Sequence, residues 1–181
     1  MTAADMSLAK SILGTPNRRI ATIALLVLAL DQLTKFLVVR WLPGSQEKVI
    51  VYGFFKFVHW QNTGAAWSLF RGSNGWLALV AVLALVILVL SRHHFDSRTF
   101  LSQVAFGFIS GGIVGNLIDR LFREHVVDFI YFYLLQRGGG EWGFPAFNIA
   151  DSAICTGVGL IFLFTWRSER AVGPAETPVA K

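Results

Sequence analysis

The chain has 181 residues, of which 54% are hydrophobic and only 15% charged, with net charge +5 and mean hydropathy +0.56. Soluble domains carry about 25% charged residues, so this composition argues against a soluble enzyme, a disordered tail or a secreted disulfide scaffold. The basic excess reads as attraction to anionic lipid headgroups and as a topology signal, and the single cysteine, Cys155, can form no internal disulfide.

A helix that crosses a bilayer needs about 20 mostly apolar residues. Four segments qualify, at about residues 20–41, 73–91, 99–120 and 148–166. Arg18 and Arg19 before the first segment resemble the start of a secretory signal peptide. Asp31 and Lys35 continue the helix with no small-residue cleavage site, so the span reads as retained. Residues 1–19, 91–99 and 167–181 carry 8 Lys/Arg, against 5 in residues 42–74 and 121–148. The positive-inside rule therefore places both termini in the cytoplasm.

The external segments are 42–72 and 121–147. The first contains Val49–Val58, rich in β-branched and aromatic residues, and reads as two short strands around Gly53. Trp41, Trp60, Trp67, Trp76 and Trp142 fall near the outer boundary, as an aromatic belt does. The second ends in Gly138–Gly140, read as a mobile hinge beside the interfacial anchor Trp142. Residues 1–15 and 171–181 are expected to be disordered. The whole chain, 1–181, reads as one integral membrane domain of four transmembrane helices with a β-rich external element and a mobile external loop.

Asp31, Lys35, Asp119, Arg120 and Asp151 lie in or at the edge of apolar spans, where each charge costs about 2.5–3.5 kcal/mol at mid-bilayer. Helix directions bring the polar groups of spans one, three and four to the outer half of the membrane. Asp31 and Lys35 are spaced i,i+4, as are Asn116 and Arg120; Asn116 and Asp119 are i,i+3, as are Asn148 and Asp151. Gly111 and Gly115 form a GxxxG step, with Gly112 on the face of Asn116, which permits close approach of a helix or a substrate backbone. Asp31 and Lys35 read as an intrahelical ion pair, and Asp119 beside Arg120 as a locked acid. Asp128 and Asp151 have no evident cation within a few residues. Two carboxylates in a partly apolar, water-reachable site split their titration, which suits activation of water and protonation of a leaving amine. Spacing alone leaves the commoner reading open, in which each aspartate is a cap or a helix–helix contact.

Other chemistries are poorly supplied. There is no H-E-x-x-H, P-loop or GxGxxG, His93 and His94 read as solvated, and Ser68 lacks a histidine partner. No metal or organic cofactor is implied, and nucleic-acid binding has little support. A small proton-coupled transporter and a non-enzymatic assembly subunit remain the rival readings.

Five stretches, in order, resemble the motifs of the lipoprotein signal peptidases (signal peptidase II), a family of bacterial four-span aspartyl proteases. They are Asp31-Gln32-Leu33-Thr34-Lys35, Asn62-Thr63-Gly64-Ala65-Ala66-Trp67-Ser68, Gly111 through Arg120, Val126-Val127-Asp128-Phe129 and Phe147-Asn148-Ile149-Ala150-Asp151. The resemblance implies that Asp128 and Asp151 form the catalytic dyad. It also implies that Asp31, Lys35, Asn62, Gly112, Asn116, Asp119, Arg120 and Asn148 shape or support the site. The implied substrate is a diacylglyceryl-modified prolipoprotein, cut before its lipidated cysteine at the outer face of the bacterial inner membrane. The first external segment becomes the family's extracytoplasmic β-rich cradle, a monomer suffices, and membrane lipids are the other partner.

Overall fold

A computed structural model describes residues 14–42, 44, 46–64, 73–92 and 99–171. Ala65–Ser68 of the second motif, His93, His94 and most of both expected disordered ends lie outside these residues. In chain order the elements are α1 (Pro16–Trp41), β1 (Glu47–Val51), β2 (Phe55–Asn62), α2 (Asn74–Ser91), α3 (Phe100–Phe122), β3 (Val126–Leu135), β4 (Glu141–Gly143) and α4 (Ile149–Ala171). All four helices are long and apolar enough to cross a membrane, and the chain is a multi-pass membrane protein. Helix α1 starts four residues before the expected span. Thr15 caps it and Pro16, whose missing N–H is no loss at that position, begins it. It ends where Leu42 precedes Pro43, whose ring disfavours the α conformation in the residue before it.

The bundle is polar inside and apolar outside. Leu26, Phe36, Ile87, Leu90 and Phe162 are exposed, whereas Asp31, Lys35, Gln103, Asp119 and Asn148 are fully buried. In water this arrangement is unstable; in lipid the exposed side chains meet hydrocarbon, and every inward polar group must find a partner in the protein. Helix α3 is central and packs against α1 and α4. Small residues set that closeness. A Cβ on Gly112 would sit 2.5 Å from the carbonyl oxygen of Ala150 on α4, and one on Gly115 would sit 2.6 Å from Oδ2 of Asp31 on α1. The glycine step is therefore filled by the protein's own helices and by a buried carboxylate.

The four strands form antiparallel neighbours in the order β1-β2-β3-β4. The two strands expected around Gly53 are β1 and β2, joined by a turn in which Gly53 takes φ 77°. Val126–Ile130, an apolar stretch in the sequence, opens the strand β3, which runs on to Leu135 and draws the second external segment into the same sheet. Gly138–Gly140, read as a hinge, form the tip of the β3–β4 hairpin, closed by Gln136 N–H donating to Gly140 O at 2.8 Å. Lys56 ties β1 to β4: its Nζ lies 2.6 Å from Glu47 and 2.7 Å from Glu141, above the Tyr133 ring. Phe55, Phe132 and Phe147 stack in a row, and the exposed Tyr52, Phe54 and Trp142 extend the apolar surface.

Candidate active site

Two chain reversals bring the aspartates together. After α3, Glu124 takes φ 62°, the left-handed conformation that commonly terminates helices, and the chain enters β3. Asp128 follows four residues later, opposite Trp60 of β2. At the other edge, Asn148 and Asp151 open α4 with a reciprocal cap. Asp151 N–H donates to Asn148 Oδ1 at 2.9 Å, and Asn148 N–H donates to Asp151 Oδ2 at 3.2 Å. Asn148 also reaches across: its Nδ2 donates to Asp128 Oδ1 at 2.8 Å. One side chain thus caps the helix that carries Asp151 and holds Asp128. Asn62 donates to the other oxygen of Asp128 at 2.8 Å, and Asn116 donates to Asp151 Oδ1 at 2.7 Å. Each carboxylate accepts two N–H donors.

Behind the pair lies a buried ionic cluster. Lys35 Nζ contacts Asp31 Oδ2 at 2.8 Å, Asp119 Oδ2 at 2.7 Å and Asn116 Oδ1 at 2.9 Å, so its three protons have three acceptors. Asp31 Oδ1 accepts the backbone N–H of Ala150 at 2.9 Å, next to Asp151. The expected pairing of Asp119 with Arg120 does not form. Asp119 pairs with Lys35 and Arg123, while Arg120 turns elsewhere. Adjacent residues on a helix point about 100° apart, whereas Asp119 and Arg123 share a face at i,i+4. Arg123, the nearest cation in sequence to Asp128, is thus spent on Asp119 and on Gln32, whose Oε1 accepts from it at 3.2 Å.

Asn62, Asn116, Arg120, Asp128, Asp151 and Trp60 line one open cleft of about 940 Å³, which extends along α4 as far as Cys155. Arg120 donates to Gly64 O at 2.8 Å and to Asn74 Oδ1 at 3.1 Å. Burial, and after it the charge of Asp151, pushes the Asp128 carboxyl up to about 7; hydrogen bonds from Asn62 and Asn148 and the charge of Lys35 oppose the rise. Near neutral pH, Asp128 can therefore hold or release a proton beside a second carboxyl group. The sign for stability follows. A raised carboxyl pKa favours the fold most below the unfolded value of about 4, and that contribution is lost as pH rises through about 7. In an Asp151→Asn variant the neighbouring charge is gone, and the Asp128 pKa is expected to fall below about 7, read by carboxyl infrared difference spectra. An unchanged value would show that the two groups do not share one electrostatic site.

All the residues expected at the site are gathered here. Asp128 and Asp151 line the cleft with Asn62, Asn116 and Arg120, and Asn148 bridges the two aspartates. Asp31, Lys35 and Asp119 lie behind them, and Gly112 lets α4 approach α3. Gln32, Gly64 and Asn74 were not singled out individually. For Gln32 the available signal was a polar residue inside an apolar span. Asn74 had none, because its partner lies 46 residues away. Among the described residues, no group of three or more His, Cys, Asp or Glu side chains is placed to hold a metal ion.

Residues 23–167 match the family described as Signal peptidase (SPase) II. The chain is 38% identical over 141 residues to the lipoprotein signal peptidase of Bacillus subtilis, covering 78% of this chain and 88% of that one. It is 34% identical over 148 residues to that of Anoxybacillus flavithermus, covering 82% and 85%. The fold is similar to a bacterial membrane enzyme structure determined by the in meso method at 2.3 Å resolution. The TM-score is 0.73 at 28% identity, over 93% of this chain and 96% of that chain. A second, at 1.9 Å resolution, gives a TM-score of 0.69 at 30% identity, over 84% and 93%.

Proposed function

The chain belongs to the signal peptidase II family, and on that premise we propose that Asp128 and Asp151 are the catalytic pair with which it removes signal peptides from prolipoproteins. The observation that carries the assignment is the bridge of Asn148, which binds Asp128 through its side chain while capping the helix of Asp151. A bound water between the carboxyl groups loses a proton to the ionised aspartate and attacks the scissile carbonyl. The protonated aspartate donates to that carbonyl oxygen as it becomes tetrahedral, and a proton then passes to the departing amine as the C–N bond breaks. Asn62, Asn116 and Asn148 already donate to the aspartates. Arg120 uses two of its five N–H donors on Gly64 and Asn74, so it is the best-supplied donor for the oxyanion or the substrate backbone.

The substrate is a prolipoprotein whose cysteine already bears diacylglycerol, with cleavage just before that cysteine. The acyl chains stay in lipid and orient the scissile bond, since they are not transferred from water. The Lys/Arg bias of the loops supports cytoplasmic termini, with the cleft at the outer face of the bacterial inner membrane. One chain supplies every residue of the pair and its supports, which favours a monomer surrounded by membrane lipid. Family membership does not favour a transporter or an assembly subunit.

The test is cleavage of a diacylated prolipoprotein by the purified protein in lipid, beside its unlipidated form. Cleavage before the lipidated cysteine is expected, with the unlipidated substrate cut at least about tenfold more slowly because remote binding energy is lost. Equal cleavage of both would overturn the substrate assignment. Ion or solute flux without proteolysis would overturn the activity.

A further inference from the structure

Asn74 opens α2 and belongs to none of the five motifs. The preceding residue, Ser73, makes no side-chain cap bond, and the half-buried Asn74 side chain is turned to α3. There it grips Arg120 twice: Nδ2 donates to the Arg120 carbonyl oxygen at 2.8 Å, and Oδ1 accepts from Arg120 Nη1 at 3.1 Å. The grip continues. Arg120 Nη2 donates to Gly64 O at 2.8 Å, Gly64 N–H donates to Asn62 Oδ1 at 2.9 Å, and Asn62 Nδ2 donates to Asp128 Oδ2 at 2.8 Å. A single line of hydrogen bonds therefore runs from the first residue of α2 to a cleft aspartate. It holds Gly64 at both its carbonyl oxygen and its N–H.

We propose that Asn74 is a positioning residue for the reaction, holding the Arg120 guanidinium in the cleft and, through Gly64, orienting Asn62 on Asp128. Without Asn74, Arg120 can rotate about its long side chain, the Gly64 carbonyl loses a fixed donor, and Asn62 no longer has its amide plane set. Misplacement of reacting groups by about 1 Å costs up to about a hundredfold in rate. The main effect therefore falls on kcat. The hydrogen bond from Asn62 favours the Asp128 carboxylate, so loosening it moves the alkaline limb of the pH profile upward. Of the other charged groups acting on Asp128 from neighbouring elements, Asp151 and Lys35 are untouched by the substitution, and displacement of the Arg120 guanidinium from Asp128 moves the Asp128 pKa in the same upward direction.

The inference rests on the proposed protease activity, and wild-type cleavage of a diacylated prolipoprotein tests that activity first. If wild type cuts, Asn74→Leu and Asn74→Asp are compared with it for kcat, KM and pH profile, with thermal unfolding measured for each. Asn74→Leu is expected to lose more than about fivefold in kcat, with an upward-shifted alkaline limb. Asn74→Asp loses the donor to the Arg120 carbonyl oxygen but keeps the acceptor for Arg120 Nη1, now as a charge-assisted bond, and is expected within about fivefold of wild type. A smaller loss in Asn74→Leu, a loss without the pH shift, or a larger fall in Asn74→Asp overturns the role. Should Asn74→Leu fail to fold, Asn74→Ala takes its place under the same criteria.

Discussion

Asp128→Asn and Asp151→Asn are each expected to lower cleavage by about 10²–10⁴-fold or more while leaving folded protein in the membrane. An amide at either position can neither take a proton from water nor return one to the leaving amine. The substitutions nearly conserve volume, and the bundle's ionic cluster around Lys35 contains neither residue. The hydrogen bonding nonetheless changes in a defined way. Both Asp128 oxygens accept from NH₂ groups, those of Asn62 and Asn148. An asparagine presents one acceptor and one donor, so one of those amides must turn away. At position 151 the same conflict falls on Asn116 or on the backbone N–H of Asn148. Modest destabilisation with near-total loss of turnover is thus the expected signature. Near-normal cleavage of a diacylated prolipoprotein by either variant would refute the dyad.

Lys35→Met is expected to destabilise the protein by about 3–5 kcal/mol, the usual cost of leaving buried charge without its partner. Asp31 and Asp119 are fully buried and share the Lys35 ammonium at 2.8 and 2.7 Å. Its removal leaves Asp119 with Arg123, and Asp31 with no cation bonded to it among the described residues. The damage also reaches the cleft, because Asn116, which donates to Asp151, loses the shorter of the two donors to its Oδ1 and keeps only Asn148 Nδ2 at 3.2 Å. Asp31→Asn removes one charge from a cluster that keeps Asp119, Lys35 and Arg123. It is expected to lower thermal stability less and to retain residual activity. Thermal unfolding in detergent together with single-turnover cleavage separates these outcomes. A Lys35→Met protein as stable as wild type would show that the cluster carries little of the fold. A fully stable but inactive Asp31→Asn protein would move Asp31 from support to chemistry.

The membrane architecture was legible because it rests on local quantities. Runs of about 20 apolar residues identify spans wherever they occur, and charge inside such runs marks positions that need partners. Asp31 with Lys35 was readable for the same reason: i,i+4 spacing on one helix is local geometry. The candidate aspartates stood out as acids with no cation close by in sequence, although it took the resemblance to the signal peptidase II motifs to favour the pair over ordinary caps.

Partner choice between elements was another matter. Sequence adjacency joined Asp119 to Arg120, but the helix directs them apart and delivers Asp119 to Lys35 and Arg123. Val126–Ile130 alone reads as an apolar stretch; only pairing with β2, more than sixty residues earlier, makes it part of the strand that brings Asp128 to Asn62. Asn148 was recognisable as a residue one turn before Asp151, yet its reach to Asp128 required α4 to start beside β3. Thus the sequence by itself determined the spans, their buried charges and the acids available for hydrolysis. The tertiary structure decided which amide meets which carboxylate and which cation faces the cleft, because side-chain direction across separate elements depends on how those elements pack.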